Sequence, residues 1–206
     1  MKVPLNILDG LYDGSISCAL RQSDGLWTTS RPGDSLILSG SFNPLHEGHI
    51  QMLSAAEKMT GKKGIYEISI CNVDKPVLPK STLLNRIKCF PPDKSFCVTA
   101  SPRFTEKSTI LPGSTFVIGY DTATRLLDPK YYKKKDFYYY SDAVVDALNM
   151  ITENHCSFIV GGRIDESGQF KTLGDLKMPK KSRQLFELLP ESEFRIDISS
   201  SEIRKD

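Results

Sequence analysis

Only three histidines occur in the 206 residues, and two of them, His46 and His49, stand three positions apart in the segment Gly40 to His49, GSFNPLHEGH. On a helix that spacing puts both imidazoles on one face, where they can meet the same phosphate. The apolar run Leu36 to Ser39 ends at Gly40, so the backbone entering Ser41 and Phe42 can approach a ligand with no side chain between. Pro44 stiffens the loop, and a helix is predicted to start near Glu47 or Gly48. Its free N–H groups and dipole favour an anion there. Gly48 leaves a flat place for a base or ribose. The alternative for the pair is a helix cap and a packed ring. Glycine, Phe-x-Pro and two histidines in one ten-residue window after a strand weigh towards phosphate chemistry.

The elements that must position these residues alternate along the chain. LILSG (36–40) suits a buried strand. A helix over His49 to Met59 puts Ile50, Leu53 and Ala56 on one face and ends at Thr60-Gly61. Strands are predicted over 65–73, 95–100, 114–119, 156–162 and 193–198. Helices are predicted over 81–90 with Ser81 as N-cap, from Asp121 or Thr122, over 141–151, and over 180–189 up to Pro190. The last residues begin a terminal helical turn. This alternation predicts an α/β fold, a Rossmann-like doubly wound parallel sheet, with ligands beyond the carboxyl ends of the strands. Residues 1–34 show weak periodicity and are read as an N-terminal extension with a short hairpin around Leu26 to Ser30. Residues 35–206 form the domain, in line with a length typical of one domain.

GSFNPLHEGH resembles the GxFxPxHxGH signature of the HIGH-superfamily nucleotidyltransferases. It is most similar to the nicotinamide and nicotinic acid mononucleotide adenylyltransferases. ISSSEIR (198–204) resembles the ISSTxIR motif of the same family, GYD (119–121) its GxD, and GGR (161–163) a loop near the bound nucleotide. DPKYY, GGRIDESGQF and ISSSEIR together look like a eukaryotic cytidylyltransferase-like branch. The resemblance covers Ser35 to the C-terminus.

It implies that a mononucleotide phosphate attacks the α-phosphorus of ATP and pyrophosphate leaves, with no covalent intermediate. His46 and His49 would stabilise the α-phosphate. Gly40, Ser41, Phe42, Gly48, Gly119, Asp121 and Arg163 would meet the nucleotide. Ser200, Ser201 and Arg204, at a strand-to-helix turn, would cradle the departing phosphates. Lys75 and Arg86 would lie on the acceptor side. Mg²⁺ would arrive on ATP, with no dedicated protein metal site, and relatives are often oligomers. Each single residue also has a plainer reading: Asp121 as an N-cap, Arg163 and Arg204 as solvated, Lys75 and Arg86 as surface charge. Within the superfamily, another adenylyl- or cytidylyltransferase is an alternative. So is a nucleotide-binding regulator with little turnover.

Composition excludes other classes. Lys+Arg is 27 and Asp+Glu 25, a net charge of +2 that gives no nucleic-acid signal. The Tyr- and Lys-rich stretch 131–140 could stack on single strands, but its tyrosines more readily cover a neighbouring helix. No apolar run approaches a bilayer span, so no membrane partner is expected. MKVPLNILDG makes a poor signal peptide, which predicts a cytoplasmic or nuclear address. The five cysteines (18, 71, 89, 97, 156) are odd in number and lack a CxxC, so buried reduced thiols are expected, with no structural zinc. Trp27 is assigned to packing and His155 to a structural role.

Overall fold

Apolar runs of alternating in-and-out residues become the centre of one sheet in the computed structural model, which describes residues 3–132, 140–165 and 167–195. Six parallel strands carry the fold: β3 (Leu36–Ser39), β4 (Gly64–Ser69), β5 (Phe96–Thr99), β6 (Thr115–Gly119), β7 (Ser157–Gly161) and β10 (Phe186–Leu189). Their spatial order is β10-β7-β6-β3-β4-β5. From β3 the chain winds one way through β4 and β5, and from β6 the other way through β7 and β10. This is the doubly wound Rossmann-like order, and its reversal lies between β3 and β6.

Helices α2 (Glu47–Thr60), α3 (Lys80–Ile87), α4 (Phe104–Ile110), α5 (Tyr120–Leu126) and α6 (Tyr140–Glu153) follow or join these strands. Because side chains alternate along a strand, Leu36, Leu38, Tyr66, Ile68, Phe96 and Val98 enter one apolar cluster with α2 and α3. Ile37, Ile65, Cys97, Phe116, Ile118 and Phe158 enter a second, on the other face, with α6. Among the described residues no helix is long and apolar enough to cross a membrane.

The first 34 residues join the same sheet and core. A helix, α1 (Leu5–Asp13), buries Ile7, Leu8 and Leu11. The extended strands β1 (Cys18–Arg21) and β2 (Trp27–Thr28) continue the sheet antiparallel beyond β5. The hairpin therefore spans 18–28, turning at Gly25 with φ of 92°, and is not centred on 26–30. Trp27 does pack, edge-on to Phe96 at 5.4 Å. Helix α1 is absent from the sequence reading, since Pro4 and Gly10 break its pattern, although Val3, Ile7, Leu8 and Leu11 form a helical stripe.

Other elements also differ from expectation. Helix α3 begins at Lys80 with Pro79 as its N-cap, so Ser81 caps nothing. The predicted helix 180–189 is a 3-10 turn, Lys180–Leu185, followed by β10. Tertiary contact decides this: Phe186 stacks on Phe158 at 5.0 Å, and Leu189 enters the core. In the predicted strand 193–198, Glu193 lies in a turn and Phe194 and Arg195 form no strand, while 196–198 fall outside the described residues. Cys18, Cys97 and Cys156 are buried and all five cysteines are free, but Cys71 is half-buried and Cys89 exposed.

One ion pair crosses the interior. Glu67, fully buried on β4, pairs with the Lys107 ammonium of α4 and accepts from Thr99 Oγ1 at 2.5 Å. Such a pair matters mainly because either partner alone is an uncompensated buried charge. Glu67→Ala is expected to lower unfolding stability by roughly 3–5 kcal/mol, read from urea midpoints, and a loss below about 1 kcal/mol would show that Lys107 finds other compensation.

Candidate functional site

The loop after β3 reaches α2 at the reversal of strand order, where a doubly wound sheet leaves a crevice. Phe42 shapes this loop. It takes φ of 42°, a region bulky side chains rarely occupy, and its ring is 1% exposed. The ring meets His49, Tyr66 and Phe90 edge-on, at centroid distances of 4.9, 5.5 and 5.3 Å. A Cβ on Gly40 would stand 2.9 Å from this ring. The glycine thus makes room for Phe42, and the Phe42 side chain, expected at the nucleotide, faces the core instead.

His46 is the N-cap of α2 and His49 its third residue. Their backbone and side chains close a capping box, with His49 Nδ1 accepting from the His46 N–H at 3.3 Å. The cap of the plainer reading is therefore present, at the helix end where the other reading sets a phosphate. The rings stack at 3.7 Å between centroids, tilted by 32°. Burial pushes the His49 imidazole down to about 3, helped by His46 beside it, and burial also lowers His46. A neutral His49 whose Nδ1 accepts must carry its proton on Nε2. It is then an uncharged N–H donor held at a helix N-terminus. Gly48 is buried in the first turn of α2.

On the other side of the reversal, β6 and β7 end side by side, with Gly119 opposite Gly161. Cβ positions there would meet α2: Met52 Cε lies 3.8 Å from that of Gly119, and Met52 Sδ 3.4 Å from that of Gly161. Asp121 is not an N-cap, since Gly119 holds that place. Its carboxylate pairs with the Arg163 guanidinium, joining two residues singled out separately in the sequence. Arg163 belongs to a small ribbon, β8 (Arg163–Ile164) with β9 (Phe170–Lys171), which the sequence reading missed.

Next to the loop lies a cavity of about 650 Å³. Gly40 and Ser41 line it, with Lys75 from the loop after β4 and Arg86 from α3. Arg86 Nη1 donates to the Ser41 carbonyl at 2.9 Å, tying α3 to the loop after β3. Ser39 also lines it, and its Oγ is enclosed without a hydrogen-bond partner among the described residues. Three further cations on the wall, Arg103, Lys107 and Arg125, went unnoticed in the sequence, and Asp74 is the one carboxylate beside these five among the described residues. Arg103 and Lys107 belong to α4 and the turn before it. The only available signal was that they follow the strand SFCVTA, whose loop must also open beyond the carboxyl edge.

Among the described residues, His46, His49, Gly48, Gly119, Asp121 and Arg163 are not part of that wall. Two neighbouring groups result: the imidazole pair and the Asp121–Arg163 pair by the strand reversal, and a basic cavity beside the loop they share. No group of three or more His, Cys, Asp or Glu side chains gathers to hold a metal among the described residues. Ser200, Ser201 and Arg204 lie outside the described residues.

Comparison with known proteins agrees with this fold. Residues 37–206 match the cytidylyltransferase-like family. A stretch of 112 residues is 30% identical to a Schizosaccharomyces pombe protein named "Putative nicotinamide mononucleotide adenylyltransferase". The match covers 48% of this chain and 44% of that protein, so the chain spans less than half the length of the curated relative it matches.

The depressed His49 value makes folding pH-dependent. An unfolded histidine titrates near 6.5, the folded one near 3. Between these values the unfolded chain holds a proton that the folded chain does not. Stability from this group is complete above pH 6.5 and is lost as pH falls towards 3, by about 1.4 kcal/mol per pH unit. Urea midpoints at pH 7, 6 and 5 should therefore fall more steeply for the wild type than for His49→Asn. Parallel slopes would show that the imidazole is not held neutral.

Proposed function

The chain belongs to the cytidylyltransferase-like family, and from that premise we propose that it transfers the adenylyl group of ATP to nicotinamide or nicotinic acid mononucleotide. The observation that carries this reading is the imidazole pair at the N-terminus of a 14-residue helix, beside a cavity whose charged side chains are five cations and one carboxylate. A mononucleotide phosphate oxygen attacks the α-phosphorus of ATP. The bond to the bridging oxygen of the β-phosphate breaks, and pyrophosphate departs with the electron pair. The dinucleotide keeps the new P–O bond. Magnesium enters with the triphosphate as part of the substrate.

The protein's part is position and charge. The His49 Nε2–H and the N–H groups of the first turn of α2 supply donors where negative charge gathers on the α-phosphate oxygens. A neutral imidazole suits this role, because it donates without losing its proton to the attacking phosphate. Asp121 and Arg163 are assigned to the nucleotide side. Lys75 and Arg86 are assigned to the acceptor, where a phosphate monoester would meet their cations. Ser200, Ser201 and Arg204 are assigned to the departing pyrophosphate by their motif. The S. pombe relative's printed name supports the pyridine mononucleotide as acceptor.

The family's description favours one second reading, a cytidylyl donor. Pyrophosphate release by the purified chain, with ATP or CTP crossed against nicotinamide mononucleotide, nicotinic acid mononucleotide, phosphopantetheine, phosphocholine and phosphoethanolamine, separates the two. Signal is expected only with ATP and a pyridine mononucleotide. Release with CTP, or with no pair at all, would overturn the assignment.

His46→Ala and His49→Ala are each expected to lower turnover by about 10²–10³, the scale of removing one donor to developing charge. Circular dichroism should stay unchanged. Near-normal turnover in both variants would remove the imidazole pair from the mechanism.

A further inference from the structure

One wall of the cavity is the loop between β4 and α3, from Cys71 to Pro76 and again at Leu78. Its internal hydrogen bonds are local: the Cys71 N–H donates to Ser69 Oγ at 3.2 Å, and the Asp74 N–H to Asn72 Oδ1 at 3.0 Å. Asn72 to Val77 are exposed. The loop closes at its base, where the Leu78 N–H donates to the Ile70 carbonyl at 2.8 Å. A loop so lightly held needs another anchor if it is to present Lys75 at a fixed place.

That anchor comes from α1, which precedes the residues matched by the family. Tyr12 donates its hydroxyl to the Leu78 carbonyl at 2.6 Å, across 66 positions of sequence. Leu78 packs against the same apolar cluster that buries Ile7, Leu8 and Leu11, so helix and loop share one foundation. Two residues further on, Lys80 pairs with Asp9 at 2.6 Å and lies 5.2 Å from the Tyr12 ring centroid. The Lys80–Asp9 pair is exposed and contributes little by itself. The tyrosine is partly buried, and its loss would leave a carbonyl short of a partner. Burial, and then the neighbouring Cys71, raises the phenol above its ordinary range, so the hydroxyl stays a donor at any physiological pH.

We propose that Tyr12 is a positioning residue: it fixes the 71–78 loop over the cavity and so sets the affinity for the phosphate-bearing acceptor without touching either substrate. The acceptor half of this statement rests on the adenylyl-transfer reading, and the loop half does not. The N-terminal helix thereby acquires a role in acceptor binding that the motifs of the domain do not contain. The hydroxyl of Tyr12 goes to Leu78 and its ring lies against Lys80, both at the cavity loop and the start of α3, so the effect is expected on the acceptor and not on the triphosphate.

Tyr12→Phe keeps the ring and removes the donor. Two measurements on the full chain decide the matter. Deuterium exchange of the peptide covering 70–79 should quicken by about fivefold, the scale of one lost hydrogen bond, while the strands exchange as in the wild type. The acceptor KM should rise by about the same factor, with kcat and the ATP KM within twofold. Unchanged loop exchange, or an equal rise in both KM values, would overturn the proposal. Should the wild type turn over no acceptor in the panel, the adenylyl-transfer reading falls, and loop exchange alone still decides whether Tyr12 holds the loop.

Discussion

The burial of one aromatic ring ties the site to the core. Phe42 leaves the end of β3 and turns inward, under the backbone of Gly40 and against Tyr66 and Phe90. Its other edge meets His49. The position of α2's first turn, the stacking of the two imidazoles and the entry to the cavity all follow from where that ring sits. A close-packed interior transmits small displacements, so the loop can hold donors in place although most of its residues are polar. The left-handed backbone at Phe42 is compensated by the apolar area its ring removes from water.

Charge is distributed by depth. Lys107 sits on the cavity wall, but its ammonium is compensated from within by Glu67, which Thr99 also binds. Lys75 and Arg125 stand exposed to solvent, and Arg86 spends one guanidinium donor on Ser41. The cavity is therefore positive because its outer cations outnumber Asp74. The imidazole pair is the opposite case. Burial keeps it neutral, so what it offers is oriented N–H groups instead of net charge. Neutral donors at one end and cations at the other suit a reaction that joins two phosphates, since both must be attracted yet only one attacked.

The N-terminal segment changes what counts as the domain's working part. Its strands extend the sheet past β5, and its helix braces the loop that walls the cavity. The family's matched residues hold the motifs, while a helix outside them supplies a contact to the cavity loop. Sheet extension and loop bracing come from one stretch because β1 must pair beside β5, which brings α1 to the side of the sheet where the loop after β4 emerges.

Strand positions in the parallel centre were legible from sequence, because a strand buried on both faces must be apolar throughout. LILSG, STFVIG and CSFIVGG could be little else, and the helix ending at Gly61 carries its own stop signal. The histidine pair was legible because so few residue types in so short a window satisfy both a helix start and an anion. What stayed hidden depended on partners distant in the chain. FELL becomes a strand only because Phe158 offers a stacking face and β7 an open edge. Phe42 turns into the core because Tyr66 and Phe90 leave room for it. Arg103, Lys107 and Arg125 meet on one wall only after two crossovers fold back, and Tyr12 finds Leu78 66 positions away. The sequence by itself determined periodicity, caps and motif chemistry, which are local properties of a few neighbouring residues. The tertiary structure alone decided which side chains share a cavity and which face the core, because those outcomes depend on packing between segments that sequence order keeps apart.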